Sequence, residues 1–155
     1  MKRTSKTFYL KESKSFKNKL LFWAQQYQEI FWFESNAEFP GNKNDYASFD
    51  GILAVGAHEK IRRDSRHAFD KLKTFLSEQN DFAFGSFSYD LKNDIESLKS
   101  ENPDQIQWEA LYFIQPKKIF FLKGNSVDLS LFEVFMQMTS GQILGPLRKF
   151  NPKSQ

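Results

Sequence analysis

Residues 111–132 read Leu-Tyr-Phe-Ile-Gln-Pro-Lys-Lys-Ile-Phe-Phe-Leu-Lys-Gly-Asn-Ser-Val-Asp-Leu-Ser-Leu-Phe. Leu111–Ile114 and Ile119–Leu122 are short apolar runs separated by Gln115-Pro116-Lys117-Lys118, and each predicts a strand. Gly124-Asn125 is a hairpin signal. Beyond it Val127, Leu129 and Leu131 alternate with polar residues, the period of a strand with one buried face. Strands joined by a tight turn run antiparallel, so this stretch argues against a doubly wound parallel sheet.

Working backwards, Phe82, Phe84, Phe87 and Tyr89 predict a strand over Phe82–Tyr89 with one aromatic face. Its small residues, Ala83, Gly85, Ser86 and Ser88, leave room for another backbone or a ligand. Asp64 is placed to cap a helix over Ser65–Gln79, with Ala68, Phe69, Leu72, Phe75 and Leu76 as its core stripe and Asn80 as its end. Phe49–Val55 predicts a strand closed by Gly56. Ile30–Phe33 predicts another, too apolar to have a solvated face. Between them Asn36–Asp45, with Pro40-Gly41, reads as a loop.

Phe16, Leu20, Trp23, Ala24 and Tyr27 form one apolar stripe of a helix starting at Ser13 or Ser15, with Ser as N-cap. Thr7–Leu10 reads as a short first strand. Asp90–Lys99 reads as a turn with a short helix capped by Asp90, and Ser100–Asp104 as a second loop. After Met138 the pattern fades into a basic tail. Helices and strands do not alternate regularly, so the predicted class is α+β, with mainly antiparallel sheets packed together and flanking helices. The expected organisation is a basic arm and first strand over 1–12, a single α+β domain over 13–138, and a linker-like tail over 139–155.

Composition narrows the function. The 155 residues include 18 Phe and no Cys. That supplies a core and excludes disulfides, thiolate metal sites and a Cys nucleophile. No apolar run approaches the ~20 residues of a membrane span, and Met1–Leu20 lacks the apolar middle of a signal peptide. A cytoplasmic chain without membrane contact is expected. Seven basic residues against Glu12 crowd into residues 1–19, while the rest of the chain is slightly acidic. A nucleic-acid binder spreads positive charge over a folded face, so no nucleic acid is expected as a partner. The basic start reads as a solvated arm, with contact to phosphate or an acidic partner as the competing reading.

Catalytic patterns are missing. Gly85-Ser86-Phe87-Ser88-Tyr89 lacks the spacing and the Lys of a phosphate loop, and Tyr89 stands where a nucleophile elbow needs Gly. Only His58 and His67 are available as bases for Ser86 or Ser88. His58-Glu59 has no second ligand at metal-binding spacing and reads as a surface turn, and His67 as a solvated helix residue. Asp90, Asp94 and Glu96 offer oxygen ligands, but Lys92 sits among them. Catalytic and metal-ligating residues are therefore expected to be none. Glu34-Ser35-Asn36, directly after an aromatic strand, has two readings: orienting polar groups of a pocket, or a turn leaving the strand.

Taken in order, Phe16 with Leu20–Ala24, Phe31–Asn36, Phe84–Glu96 and Leu111–Pro116 resemble the N-terminal domain of component I of the chorismate-utilising synthases. These are anthranilate synthase and aminodeoxychorismate (para-aminobenzoate) synthase. The resemblance covers about residues 7–135. Gly85-x-x-x-Tyr89-Asp90 followed by Glu96 is its most specific piece, and Trp23-Ala24 with Glu34-Ser35-Asn36 looks more like the aminodeoxychorismate branch.

The resemblance implies a non-catalytic domain that supports a later chorismate-binding domain and helps dock a glutamine amidotransferase subunit. The whole protein would make aminodeoxychorismate from chorismate and glutamine-derived ammonia, for para-aminobenzoate and folate synthesis. Mg2+ is implied for the later catalytic domain, and no cofactor for these residues. In many family members a tryptophan-type pocket is walled by Leu-Leu-Glu-Ser. Glu34 and Ser35 match its last two residues, while Trp32 and Phe33 replace the leucines with bulk that fills the pocket. Two alternatives accompany this expectation: the anthranilate branch, or a stand-alone module that binds an aromatic amino acid or scaffolds an amidotransferase.

Overall fold

The computed structural model of the chain describes residues 2–35, 48–64, 66–94 and 109–132, with the side chains of 93 and 94 left out. The elements are β1 (Arg3–Tyr9), α1 (Ser13–Ala24), β2 (Ile30–Glu34), β3 (Gly51–Arg63), α2 (Ala68–Gln79), β4 (Phe84–Phe87), a 3-10 helix (Tyr89–Asp94), β5 (Leu111–Lys123) and β6 (Ser126–Phe132). They build a six-stranded sheet in the order β1-β6-β5-β3-β2, with β4 paired to β5. The β1–β6, β5–β6, β2–β3 and β4–β5 pairs are antiparallel. The class is α+β, mainly antiparallel sheet with two α-helices among the described residues. None of those helices is long and apolar enough to cross a membrane. The loops expected over Asn36–Asp45 and Ser100–Asp104, the helix beyond Asp94 and the tail over 139–155 fall outside the described residues.

The chain divides into two compact units, one of Met1–Gly56 with Lys117–Gln155, the other of Ala57–Pro116. β3 and β5 each run from one unit into the other. In the first unit Phe16, Leu20 and Ala24 of α1 pack with Leu53, Val55, Phe120, Leu122, Val127, Leu129 and Leu131. These sheet residues are alternate positions of their strands, so one face of the sheet receives the helix. In the second unit Ala68 and Leu72 pack with Ile61, Leu91, Ala110 and Leu111.

Several expectations need correction. Leu111–Ile114 and Ile119–Leu122 are one 13-residue strand, β5. Pairing with β4 stops at Ile114 and pairing with β6 begins at Lys118. Pro116 falls between these partners, where its missing N–H breaks neither ladder. Gly56 does not close a strand: β3 runs on to Arg63 through it, with φ at 66°. His58 and Glu59 therefore lie in a strand, not on a turn. The first strand starts at Arg3, so most of the presumed solvated arm is paired sheet.

The helix expected from Ser65 begins at Ala68, after His67 in left-handed conformation. His67 is thus the N-cap position rather than a residue on the polar face. Phe69 and Leu76 are each 41% exposed and leave the expected core stripe. The N-cap of α1 is Glu12, which makes no side-chain cap bond, and Ser13 is the first helical residue. β4 spans only Phe84–Phe87, and strand alternation sets Phe84 and Phe87 on opposite faces, so the expected single aromatic face does not form; Phe82, Phe87 and Tyr89 are exposed. β2 has solvated residues too, Ile30 and Phe33, because it ends the strand order.

The hairpin agrees with expectation. Lys123 pairs with Ser126 across Gly124-Asn125. Of the two turn residues only Gly124 has positive φ, the arrangement that places Gly first in a two-residue turn.

Candidate functional site at the end of β2

Glu34 ends β2 opposite Gly51 of β3. Strand alternation sets Trp32 and Glu34 on one face and Phe33 on the other. Trp32 packs against the core cluster that contains Phe16, Leu20 and Ala24. Its indole lies on Gly51, where an added Cβ would stand 2.9 Å from the ring. Gly51 therefore gives the large ring its seat. Phe33 is 47% exposed on the opposite face. Of the two residues that replace the leucines of the resemblance, only Trp32 turns toward that core.

Glu34 is held by groups of this chain. Lys17 Nζ, from the first turns of α1, donates to Oε1 at 2.9 Å, and Trp32 Nε1 donates to Oε2 at 3.3 Å. The Lys17 hydrogen bond is the largest reason the carboxyl titrates below its ordinary value. Desolvation opposes that shift, while the Trp32 N–H and the Lys17 charge add to it. Lys17 keeps its stem covered, with a side chain only 14% exposed against 42% for Glu34.

Ser35 is turned toward the segment before β3. Its N–H and its hydroxyl both donate to the Asp50 carbonyl, at 3.1 and 3.3 Å. Asp50 N–H donates in turn to Leu122 C=O at 2.8 Å, and Asp50 Oδ2 accepts from Gly124 N–H at 2.5 Å. Asp50 thus joins the exit of β2, the end of β5 and the hairpin turn. Chemically, an arriving ammonium group competes with Lys17 for Glu34, and the Ser35 oxygen keeps acceptor capacity while its proton is committed. Asn36 lies outside the described residues.

Three residues engaged in this first unit, Lys17, Asp50 and Lys118, carried no signal of it in the order of residues. Lys17 is one of seven basic residues in residues 1–19, and Asp50 stands within the stretch read as a strand. Lys118 stands in what read as a polar connector, yet it is 6% exposed. Its Nζ donates to the Tyr27 hydroxyl at 2.6 Å and lies 5.4 Å from the Trp23 ring centroid. Only the alternation along an unbroken β5 would have turned Lys118 to the face of Phe120 and Leu122.

In the second unit Gly85 pairs with Phe113. A Cβ there would fall into the Tyr112 carbonyl and the Phe113 ring, so the small residues do admit a second backbone. Ser88 N–H donates to Ala110 C=O, and Leu91 N–H donates to Ser88 C=O, opening the 3-10 helix. Asp90 lies inside that helix and not at its cap. Ser88 Oγ is buried and has no hydrogen-bond partner among the described residues. Among the described residues no group of three His, Asp or Glu is placed to hold a metal ion. Glu96 is outside those residues. No protein-family model and no curated protein matches the chain.

Proposed function

We propose that this chain is the N-terminal, non-catalytic domain of a component I of the chorismate-utilising synthases, of the aminodeoxychorismate type and cytoplasmic. That family's fold is expected to have antiparallel sheets packed together, whereas the described strands of this chain form one six-stranded sheet, so the shared feature is the mainly antiparallel α+β class. The reading rests on the ordered sequence blocks, and one observation carries it furthest. The most specific block, Gly85-Ser86-Phe87-Ser88-Tyr89-Asp90, begins at a position where β4 and β5 approach so closely that a side chain cannot fit. The glycine of the block thus has a structural reason. The antiparallel α+β class supports the same reading. Mg2+ and the chorismate site belong to the later domain, and the partners are that domain and a glutamine amidotransferase subunit.

The purified chain, given chorismate, an ammonium salt and Mg2+, is expected to form neither aminodeoxychorismate nor anthranilate. Product from the chain alone would overturn the non-catalytic assignment. Reading the source DNA past the codon for Gln155 is the second test. A long open frame encoding chorismate-site residues supports the proposal, and an immediate stop codon shifts it to a stand-alone module. Which amine the continued protein makes separates the two branches. Calorimetric titrations of the chain with tryptophan and phenylalanine are expected to be flat, because Glu34 and Ser35 already have partners.

A further inference from the structure

We propose that the outer edge of β1 accepts an acidic, extended segment of a partner protein as an added strand. β1 stands at the end of the strand order, and all seven of its residues are in register with β6 on one side only. In an antiparallel ladder, alternate residues direct their N–H and C=O groups away from the partner. Among the described residues no strand pairs with that outer side. Ser5, Lys6 and Thr7 are exposed in succession, so both faces of the strand are open at its middle.

The charges on this edge select the occupant. Lys6 lies on one face of β1, Lys2 is exposed one residue before the strand at the same alternation, and Lys11 and Lys14 are exposed just beyond, with Glu12 exposed between them. Asp128 of β6 pairs with Thr7 and so lies on the opposite face from Lys6, where the Thr7 hydroxyl donates to it at 2.6 Å. On the other face Tyr9 is 85% exposed at the end of the strand. A matching segment carries carboxylates four residues apart on one face, to reach Lys2 and Lys6, and an apolar residue on the other, to cover Tyr9. Main-chain bonds supply the affinity and the side-chain pairs the choice of partner.

A second copy of the chain is disfavoured. Pairing β1 with its own copy sets basic residues against basic residues, and lysines on an edge are a known barrier to such self-pairing. A nucleic acid fits poorly as well. The cations line one strand, and the chain outside residues 1–19 is slightly acidic and repels a polyanion. This inference does not depend on the proposed function.

The test is fluorescence anisotropy with the full chain and a labelled peptide of alternating Glu and Val at low salt. Saturable binding is expected. The Lys2→Glu/Lys6→Glu variant is expected to weaken it about tenfold or more, with Lys6→Ala as a milder variant should the double one misfold. Two further peptides, N-methylated on alternate residues in each of the two registers, read the main-chain bonds. One is expected to bind much more weakly than the other. No saturable binding overturns the proposal. So does equal binding of both methylated peptides and the parent, which marks ionic adhesion alone, or tighter binding of an oligothymidylate of equal length.

Discussion

Glu34 shows how far a residue's role depends on neighbours distant in sequence. Its place at the end of an aromatic strand was legible, and so was its polarity. Its partner Lys17 lies in another element, and nothing in the order of residues connects them. The Lys17 bond lowers the carboxyl below its ordinary 4.5. A group whose pKa is lower in the folded state stabilises the fold above its unfolded value. That contribution fades as pH falls through the folded value. Lys17→Ala is expected to return the Glu34 titration toward 4.5 in carboxyl-resolved NMR. The cost at neutral pH is expected to be small, about 0.2–1 kcal/mol, because the pair is partly solvated. A loss that persists undiminished below the carboxylate range would show that Lys17 acts through packing instead.

At the scale of elements, glycines separate two kinds of constraint. Gly85→Ala puts a methyl group into the backbone of β5. It is expected to lower stability by about 1–3 kcal/mol or more, seen as a lower denaturant midpoint, with weaker amide protection along β4. Gly124→Ala meets no atom within 4 Å, but its φ of 53° is left-handed. That variant is expected to lose about 1–2 kcal/mol through backbone strain alone. Equal and negligible effects of the two changes would refute the close approach of β4 to β5. Strand extent was the least legible property at this scale. Gly56 and Pro116 are ordinary stop signals, yet both strands run through them. Pro116 falls between the β4 and β6 pairings, and Gly56 takes a left-handed φ while its N–H still donates to the Glu29 carbonyl. Partners distant in sequence thus decide whether a strand continues.

For the molecule as a whole, each unit has its own apolar cluster, yet large apolar side chains stay in solvent. Phe22, Phe33, Phe82 and Phe87 are all about half exposed. On the proposed reading, a larger neighbour would cover such surface, which is left open in the chain alone. The purified chain is therefore expected to associate as concentration rises in sedimentation velocity, and to enhance the fluorescence of a hydrophobic dye. A clean monomer with no dye binding at high concentration would count against a covering partner.

Features legible in the order of residues are local: two helices with Phe16, Leu20, Ala24, Ala68 and Leu72 turned inward, and the Gly124-Asn125 hairpin. The antiparallel α+β class followed from these. Periodicity and turn chemistry are carried by neighbouring residues, so they can be read in order along the chain. The folded chain alone reveals that the basic start is an edge strand, that β5 passes through Pro116, that Lys118 is buried beside Tyr27, and that Glu34 meets Lys17. Each of these depends on which distant strand or helix supplies the missing partner. A hydrogen-bond ladder or a buried cation takes its energy from that partner, and its identity is a property of the folded chain.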